Sequence, residues 1–257
     1  MSDTASQFPI TKIGPDGTSE LSDHVAREDP LEIRVEGKSV AVVMRTPGHD
    51  RELAAGFLLS EGVISSPSEI FEISECPSRA EHPEEKGNVV DVLLTKGNQV
   101  DLSALTRHVF SSSSCGICGK ATIDSVFGSF PKITQPAPVS AAQRTFDKTG
   151  GLHASGLFDA SGEIVTLRED VGRHNALDKV IGKALLDDQL PLTGHTLLLS
   201  GRVSFELMQK ALSAGIPTIA AISAPSSLAV DFARESGQTL VGFLRGETMN
   251  VYAGELG

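Results

Sequence analysis

The chain has 257 residues, 40% of them hydrophobic, and a formal net charge of −11. This length suits one large domain or two small ones with real cores, and the negative balance argues against long-range attraction to DNA, RNA or anionic membranes. Gly, Pro or Ser interrupts every apolar stretch well short of a roughly 20-residue span, and MSDTASQFPITKIGPDGTSE lacks the apolar centre of a signal peptide, so the expected location is the cytoplasm.

Residues 1–28 are polar and read as a flexible leader. LEIRVEGKSVAVVMRT (31–46) reads as two strands turning around Glu36-Gly37-Lys38. In TPGHDRELAAGFLLSEG (46–62), His49 or Asp50 caps a predicted helix with Leu53, Phe57 and Leu58 on one face, ended by Gly62. Residues 76–88 form an exposed loop, and NVVDVLLTKGNQVDLS (88–103) offers a strand or a hairpin. The expected division is a β-rich part over 29–110 followed by an α/β part over 111–257.

The segment SSSSCGICGK (111–120) opens that second part. The chain has three cysteines, Cys76, Cys115 and Cys118, too few for a disulfide framework. Cys-x-x-Cys is a familiar half of a zinc site, but a closed site needs four ligands and there is no second such pair. A zinc-dependent deaminase would also need an upstream His-x-Glu, which is missing. A thioredoxin-like dithiol is a second reading, weakened by the mid-chain position after four serines. A plain structural role is a third, weakened by the small residues around the pair. A thiol on a glycine loop beside Lys120 and a helix start favours the thiolate and can reach outward, which suits a cysteine that takes a group from one partner and gives it to another.

Beyond that loop, ATIDSVFGSF (121–130) reads as a short helix, and Ser140 as the cap of another over 141–151. HASGLFDASGEIVTLRED (153–170) is a hairpin around Ala160-Ser161-Gly162. RHNALDKVIGKALLDD (173–188) carries Ala176, Leu177, Val180, Ile181, Ala184 and Leu185 at helical spacing. A strand over 195–201, a helix over 203–215, a strand over 217–223 and a helix from Ser226 follow. Strands then close the chain in QTLVGFLRG and MNVYAG. This alternation predicts parallel βαβ units with helices packed on a sheet.

Three places put arginine beside glycine at a strand or helix end. EDVGRHNALDKVIG gathers Asp170, Arg173, His174 and Asn175 at a helix start, where simple capping by Asp170 is the plain alternative. SGRVSFE places Gly201, Arg202 and Ser204 after a strand, and FLRGETMNVY places Arg245 and Gly246 after another. Ligands of open α/β sheets bind beyond the carboxyl ends of strands, and such groups suit a phosphate-bearing ligand. Neither a P-loop nor a Gly-x-Gly-x-x-Gly motif is present. His153 is either a satisfied structural histidine or, if it faces the cysteine loop, a base for a thiol.

Together TPGHDRELAAGFLLSEG, SSCGICGK, TGGLHASGLFD, EDVGRHNALDKVIG, SGRVSFELMQKA and FLRGETMNVYA resemble the formate dehydrogenase accessory sulfurtransferases of the FdhD/NarQ family, over residues 31–252. The resemblance implies a cytidine-deaminase-like α/β domain, a mixed sheet flanked by helices, with a smaller β-rich N-terminal domain, and a homodimer. It implies a sulfur carrier that takes sulfur from a cysteine desulfurase as a persulfide. That sulfur passes to the molybdenum or tungsten bis(molybdopterin guanine dinucleotide) cofactor before its insertion into formate dehydrogenase. By position Cys115 matches the persulfide cysteine and Cys118 the second cysteine of the loop. Phe243, Leu244, Arg245, Gly246, Glu247 and Thr248 match the cofactor-binding stretch, and Arg173, His174, Gly201 and Arg202 join them on the residue reading. No permanent metal, nucleic acid or membrane is expected. The alternative is a non-catalytic chaperone that binds and delivers the cofactor; a zinc-dependent deaminase on the same fold is a third reading.

Overall fold

The computed structural model describes residues 4–14, 17–75, 88–95, 151–246 and 248–255. Its first element differs from the expected leader. Strands β1 (Ala5–Gly14) and β2 (Gly17–Ala26) pair antiparallel, with Ala5 opposite Ala26 and Gly14 opposite Gly17. Polar composition suggested a loose segment, but main-chain hydrogen bonds hold an antiparallel ribbon whatever its side chains. The Gly-Pro-Asp-Gly sequence at 14–17 is itself a turn signal.

Strands β3 (Asp29–Val35), β4 (Lys38–Arg45), β5 (Ile70–Glu75) and β6 (Val89–Leu94) form a four-stranded sheet in the order β4-β3-β6-β5. The β3–β4 turn has positive φ at both Glu36 (52°) and Gly37 (75°), the requirement of the hairpin turn whose twist matches its strands. Glu36 accepts this conformation because its carboxylate receives the Leu94 N–H at 2.6 Å, while Gly37 N–H donates to Asp91 Oδ1 at 3.0 Å. Strand β5 has no counterpart in the sequence reading: Phe71 and Glu72 are exposed and only Ile73 is buried, so its apolar alternation is weak.

The second sheet runs β12-β11-β10-β9-β7-β8. It comprises β7 (His153–Phe158), β8 (Ile164–Asp170), β9 (Thr196–Leu199), β10 (Thr218–Ala221), β11 (Thr239–Arg245) and β12 (Thr248–Ala253). Strands β9, β10 and β11 are mutually parallel, as the strand–helix alternation predicts, whereas β7, β8 and β12 add antiparallel pairings. The helices among the described residues are α1 (Asp50–Ser60), α2 (Arg173–Leu186), α3 (Phe205–Ser213) and α4 (Ser227–Ser236). Ser226 caps α4, its hydroxyl accepting the Ala229 N–H at 3.2 Å. The fold is therefore mixed α/β.

One core joins both sheets. Leu31, Ile33 and Val92 of the four-stranded sheet share a cluster with Leu53 and Leu58 of α1, Leu177 and Ile181 of α2, and Leu197 and Ile219 of the six-stranded sheet. Helix α1 packs on β5 and β6, α2 packs on β7 and β8, and the two helices pack on each other. The two parts expected from sequence are thus not separate cores; their boundary near residue 110 lies outside the described residues. The opposite face of the six-stranded sheet holds a smaller cluster of Phe158, Leu198, Ala220, Val241 and Leu244.

Lys210 ties three helices. Its ammonium, on α3, lies 2.9 Å from Asp178 Oδ2 on α2, 2.8 Å from Ser60 Oγ on α1 and 3.3 Å from Glu61 Oε1. Burial opposes its charge, but the Asp178 and Glu61 carboxylates outweigh that and hold Lys210 above the ordinary lysine range. Among the described residues no helix is long and apolar enough to cross a membrane.

Candidate functional site

The carboxyl ends of β8, β9, β10 and β11 and the start of the antiparallel β7 share one edge of the six-stranded sheet, because His153 pairs with Asp170 and Ser155 with Leu199. Backbone links stitch that edge together. Ser200 N–H donates to Ala154 O at 3.0 Å, Val203 N–H to Ala224 O at 3.2 Å, and Phe243 N–H to Ser223 O at 3.2 Å. The three arginine–glycine positions singled out from sequence therefore stand on one continuous rim, the place where open α/β sheets hold ligands.

The densest part of the rim lies between the first turns of α2 and α3. Gly201 packs against the His153 ring so closely that a Cβ there would lie 3.2 Å from Nδ1. His174 Nε2 is 2.8 Å from Glu206 Oε2 and a longer 3.5 Å from Ser204 Oγ, so the first turn of α3 grips the first turn of α2. Ser204 stands at the N-cap of α3 and its side chain makes no capping bond. Arg173 Nε is buried and has no hydrogen-bond partner among the described residues, an arrangement that invites an acceptor from outside. Burial, then Arg173 and His174, hold the His153 imidazole below its ordinary value, and Asp170 opposes them. A neutral imidazole, an arginine and the N–H groups of two helix starts gather at this corner beside the Glu206 carboxylate, in a chain of net charge −11.

Asp170 is not the ligand group or the simple cap that the sequence suggested. It is fully buried; Oδ2 lies 2.7 Å from Lys179 Nζ and accepts the Thr46 N–H at 3.0 Å. Its Oδ1 accepts from Gly172 N–H at 2.8 Å and Asn175 Nδ2 at 3.0 Å. Thr46 Oγ1 in turn accepts the Val171 N–H at 3.1 Å, and Asn175 also donates to Met44 O at 2.7 Å. These bonds lock the TPGHD segment to the β8–α2 turn and aim Arg173 and His174. The cap of α2 is Gly172, without a side-chain bond. His49, in the same segment, adopts a left-handed conformation (φ 60°), and its Nδ1 lies 3.5 Å from Glu52, which Arg168 grips through two nitrogens at 2.6 and 2.9 Å.

The predicted residues around the β11–β12 turn lie farther along the rim, with β9 and β10 between them and β7. Phe243 is 38% exposed with φ of 53°, at a bulge in the β11–β12 pairing. Arg245 and Arg202 are exposed. Gly246 has a φ of 57°, and Thr248 Oγ1 donates to Arg245 O at 2.9 Å. Leu244 is buried in the smaller core and supports this segment from below. Glu247, Cys76, Cys115 and Cys118 lie outside the described residues. Glu206, Thr46 and Lys179 escaped the sequence reading. Glu206 alone carried a signal, an acidic residue in a helix first turn, but that signal ordinarily means only complementing the helix dipole. Among the described residues no group of three His, Cys, Asp or Glu side chains is arranged to hold a metal.

A model of the FdhD/NarQ family matches residues 26–256 of the chain. The sulfur carrier protein FdhD of Streptomyces avermitilis is 51% identical to it, the alignment covering 96% of this chain and 93% of that protein. The proteins of the same name from Mycobacterium tuberculosis and Saccharolobus solfataricus are 50% and 39% identical, over 89% and 96% of this chain and 89% and 95% of theirs. Among solved structures, a crystal structure described as a formate dehydrogenase accessory protein from Desulfotalea psychrophila superposes with a TM-score of 0.73 at 26% identity, covering 97% of both chains.

Proposed function

The chain belongs to the FdhD/NarQ family, and from that premise we propose that it is a sulfur carrier serving formate dehydrogenase. The Cys115 thiolate attacks the persulfide of a cysteine desulfurase, takes its terminal sulfur and releases the donor thiolate. The carrier then passes that sulfur to a molybdenum or tungsten bis(molybdopterin guanine dinucleotide) substrate before the latter enters formate dehydrogenase. The observation that carries this reading is the name shared by relatives 39 to 51% identical over nearly the whole chain.

The rim supports the second half of the proposal. In that substrate each guanosine is joined to its pterin through a diphosphate. The buried Arg173 Nε and the first turns of α2 and α3 supply donors for such an anion. The Phe243–Thr248 segment would hold a more distant part of the same extended molecule.

The test is the intact mass of the protein after incubation with a cysteine desulfurase and cysteine. The expected result is a gain of one sulfur that a reductant removes and that Cys115→Ala abolishes, together with loss of formate dehydrogenase activation in that variant. Activation by Cys115→Ala at the wild-type level would replace this reading with the non-catalytic chaperone that only delivers the cofactor.

A further inference from the structure

We propose that Glu206 is a positioning residue that couples anion binding at the rim to proton uptake by His174. This rests on the proposed reading of the rim as the place that holds the diphosphate of the guanine-nucleotide cofactor. Glu206 is buried, in the first turn of α3, and its Oε2 lies 2.8 Å from His174 Nε2. A carboxylate accepts and cannot donate. Nε2 must therefore carry the proton, since the other tautomer would press a ring lone pair against the carboxylate. Neutral His174 is thereby left with Nδ1 as an acceptor, the wrong polarity for a phosphate. Protonation turns Nδ1 into a donor without disturbing the Nε2 bond, and the imidazolium then stands between two anions, Glu206 and the ligand.

The surroundings fit such a switch. Glu206 and Ser204 of α3 face the His174 ring, and the nearby His153 of β7 feels the charges of Arg173, His174 and Asp170. The Asp170 carboxylate is committed to Lys179, Thr46, Gly172 and Asn175. Glu206 is therefore the carboxylate in contact with His174. An arriving anion favours a positive charge on the ring, so a proton enters with it. The sequence holds the same logic in compressed form: Arg173-His174 at one helix start and Ser204-Phe205-Glu206 at the next.

The experiment uses the full chain and guanosine diphosphate as the probe. Calorimetry in buffers of different ionisation enthalpy counts protons taken up per ligand between pH 6 and 8. The wild type should take up a proton on binding, and its affinity should fall by as much as about tenfold per pH unit toward the alkaline end, the limit for one linked proton. Glu206→Gln, which keeps an acceptor but removes the charge, should lose most of that uptake and flatten the profile; Glu206→Asp should restore part of it. Independently of any ligand, nitrogen-15 NMR of the histidines should find the neutral His174 ring protonated at Nε2, and Glu206→Gln, whose amide can donate as well as accept, should weaken that tautomer preference. Binding without proton uptake, or a His174 tautomer indifferent to Glu206→Gln, overturns the coupling alone. Failure of the wild type to bind guanosine diphosphate overturns the cofactor reading of the rim and the coupling with it.

Discussion

Gly56 and Gly182 meet where α1 crosses α2. A Cβ on Gly182 would lie 1.7 Å from the carbonyl oxygen of Glu52, and one on Gly56 would lie 1.9 Å from that of Asp178. No side chain separates the helices at this point, so their separation is set by backbone contact. Everything α2 presents at its first turn, Arg173 and His174 included, is referenced to that crossing. Either glycine changed to alanine forces the helices apart, and overpacking of this kind costs about 1–3 kcal/mol or more. Gly56→Ala and Gly182→Ala should each lower the urea midpoint accordingly. Gly194→Ala, where nothing lies within 4 Å of the added Cβ, should leave it nearly unchanged. An unaltered midpoint for Gly182→Ala would refute the close crossing.

The Asp170–Lys179 pair is buried, with the two side chains 0% and 1% exposed. Removing one partner of such a pair leaves an uncompensated charge, at a cost of about 3–5 kcal/mol. Lys179→Met should therefore destabilise the protein by that order in equilibrium unfolding. Lys179→Met with Asp170→Asn should recover part of the loss, because the orphaned carboxylate is gone. A double variant no better than the single would mean that Lys179 acts chiefly through its bonds to Thr46 O and Glu169 O.

The His153 imidazole is held below its ordinary value of 6.5 by burial first and then by Arg173 and His174. The sign follows directly. Between the lowered value and 6.5 the unfolded chain holds a proton that the folded one refuses, so stability rises with pH through this window. The contribution is intact above pH 6.5 and is lost as the pH falls toward the folded value. Unfolding midpoints measured from pH 8 down to pH 5 should drop less steeply for His153→Gln than for the wild type. Identical slopes would place the acid sensitivity elsewhere, His49 being, among the described residues, the other histidine lowered by burial.

Arg173 carries the strongest expectation for binding. If its half-buried guanidinium holds a diphosphate, Arg173→Leu should weaken guanosine diphosphate binding by about tenfold or more, the range for a lost charge-assisted hydrogen bond. Arg234→Leu, which removes a largely exposed arginine from α4, should not alter the affinity. Equal affinities for wild type and Arg173→Leu would move the anion site along the rim toward Arg245.

Periodicity alone was enough for the parallel βαβ run. Buried strands such as TLLL and TIAA and amphipathic helices between them leave few topologies, because crossovers between parallel strands are right-handed and neighbouring elements pack together. It was also enough to put His153, Arg173, Gly201 and Arg245 at element ends, since Gly and Arg mark where regular structure stops. The weakly alternating β5 and the polar β1–β2 ribbon escaped it, because their hydrogen bonds belong to the backbone and leave little imprint on side-chain pattern.

The sequence by itself determined the class of the fold, the order of most of its elements and, through six motifs in order, the family to which the chain belongs. Tertiary structure decided which residues act together. Asp170 and His174 stand four residues apart, yet one is spent on a buried lysine and the segment at Thr46, while the other faces a glutamate on a different helix. Glu206 sits 32 residues from His174, and Thr46 sits 124 from Asp170. No spacing rule encodes such pairs, because they exist only once the Gly56–Gly182 crossing and the sheet edge have brought distant turns within hydrogen-bonding distance.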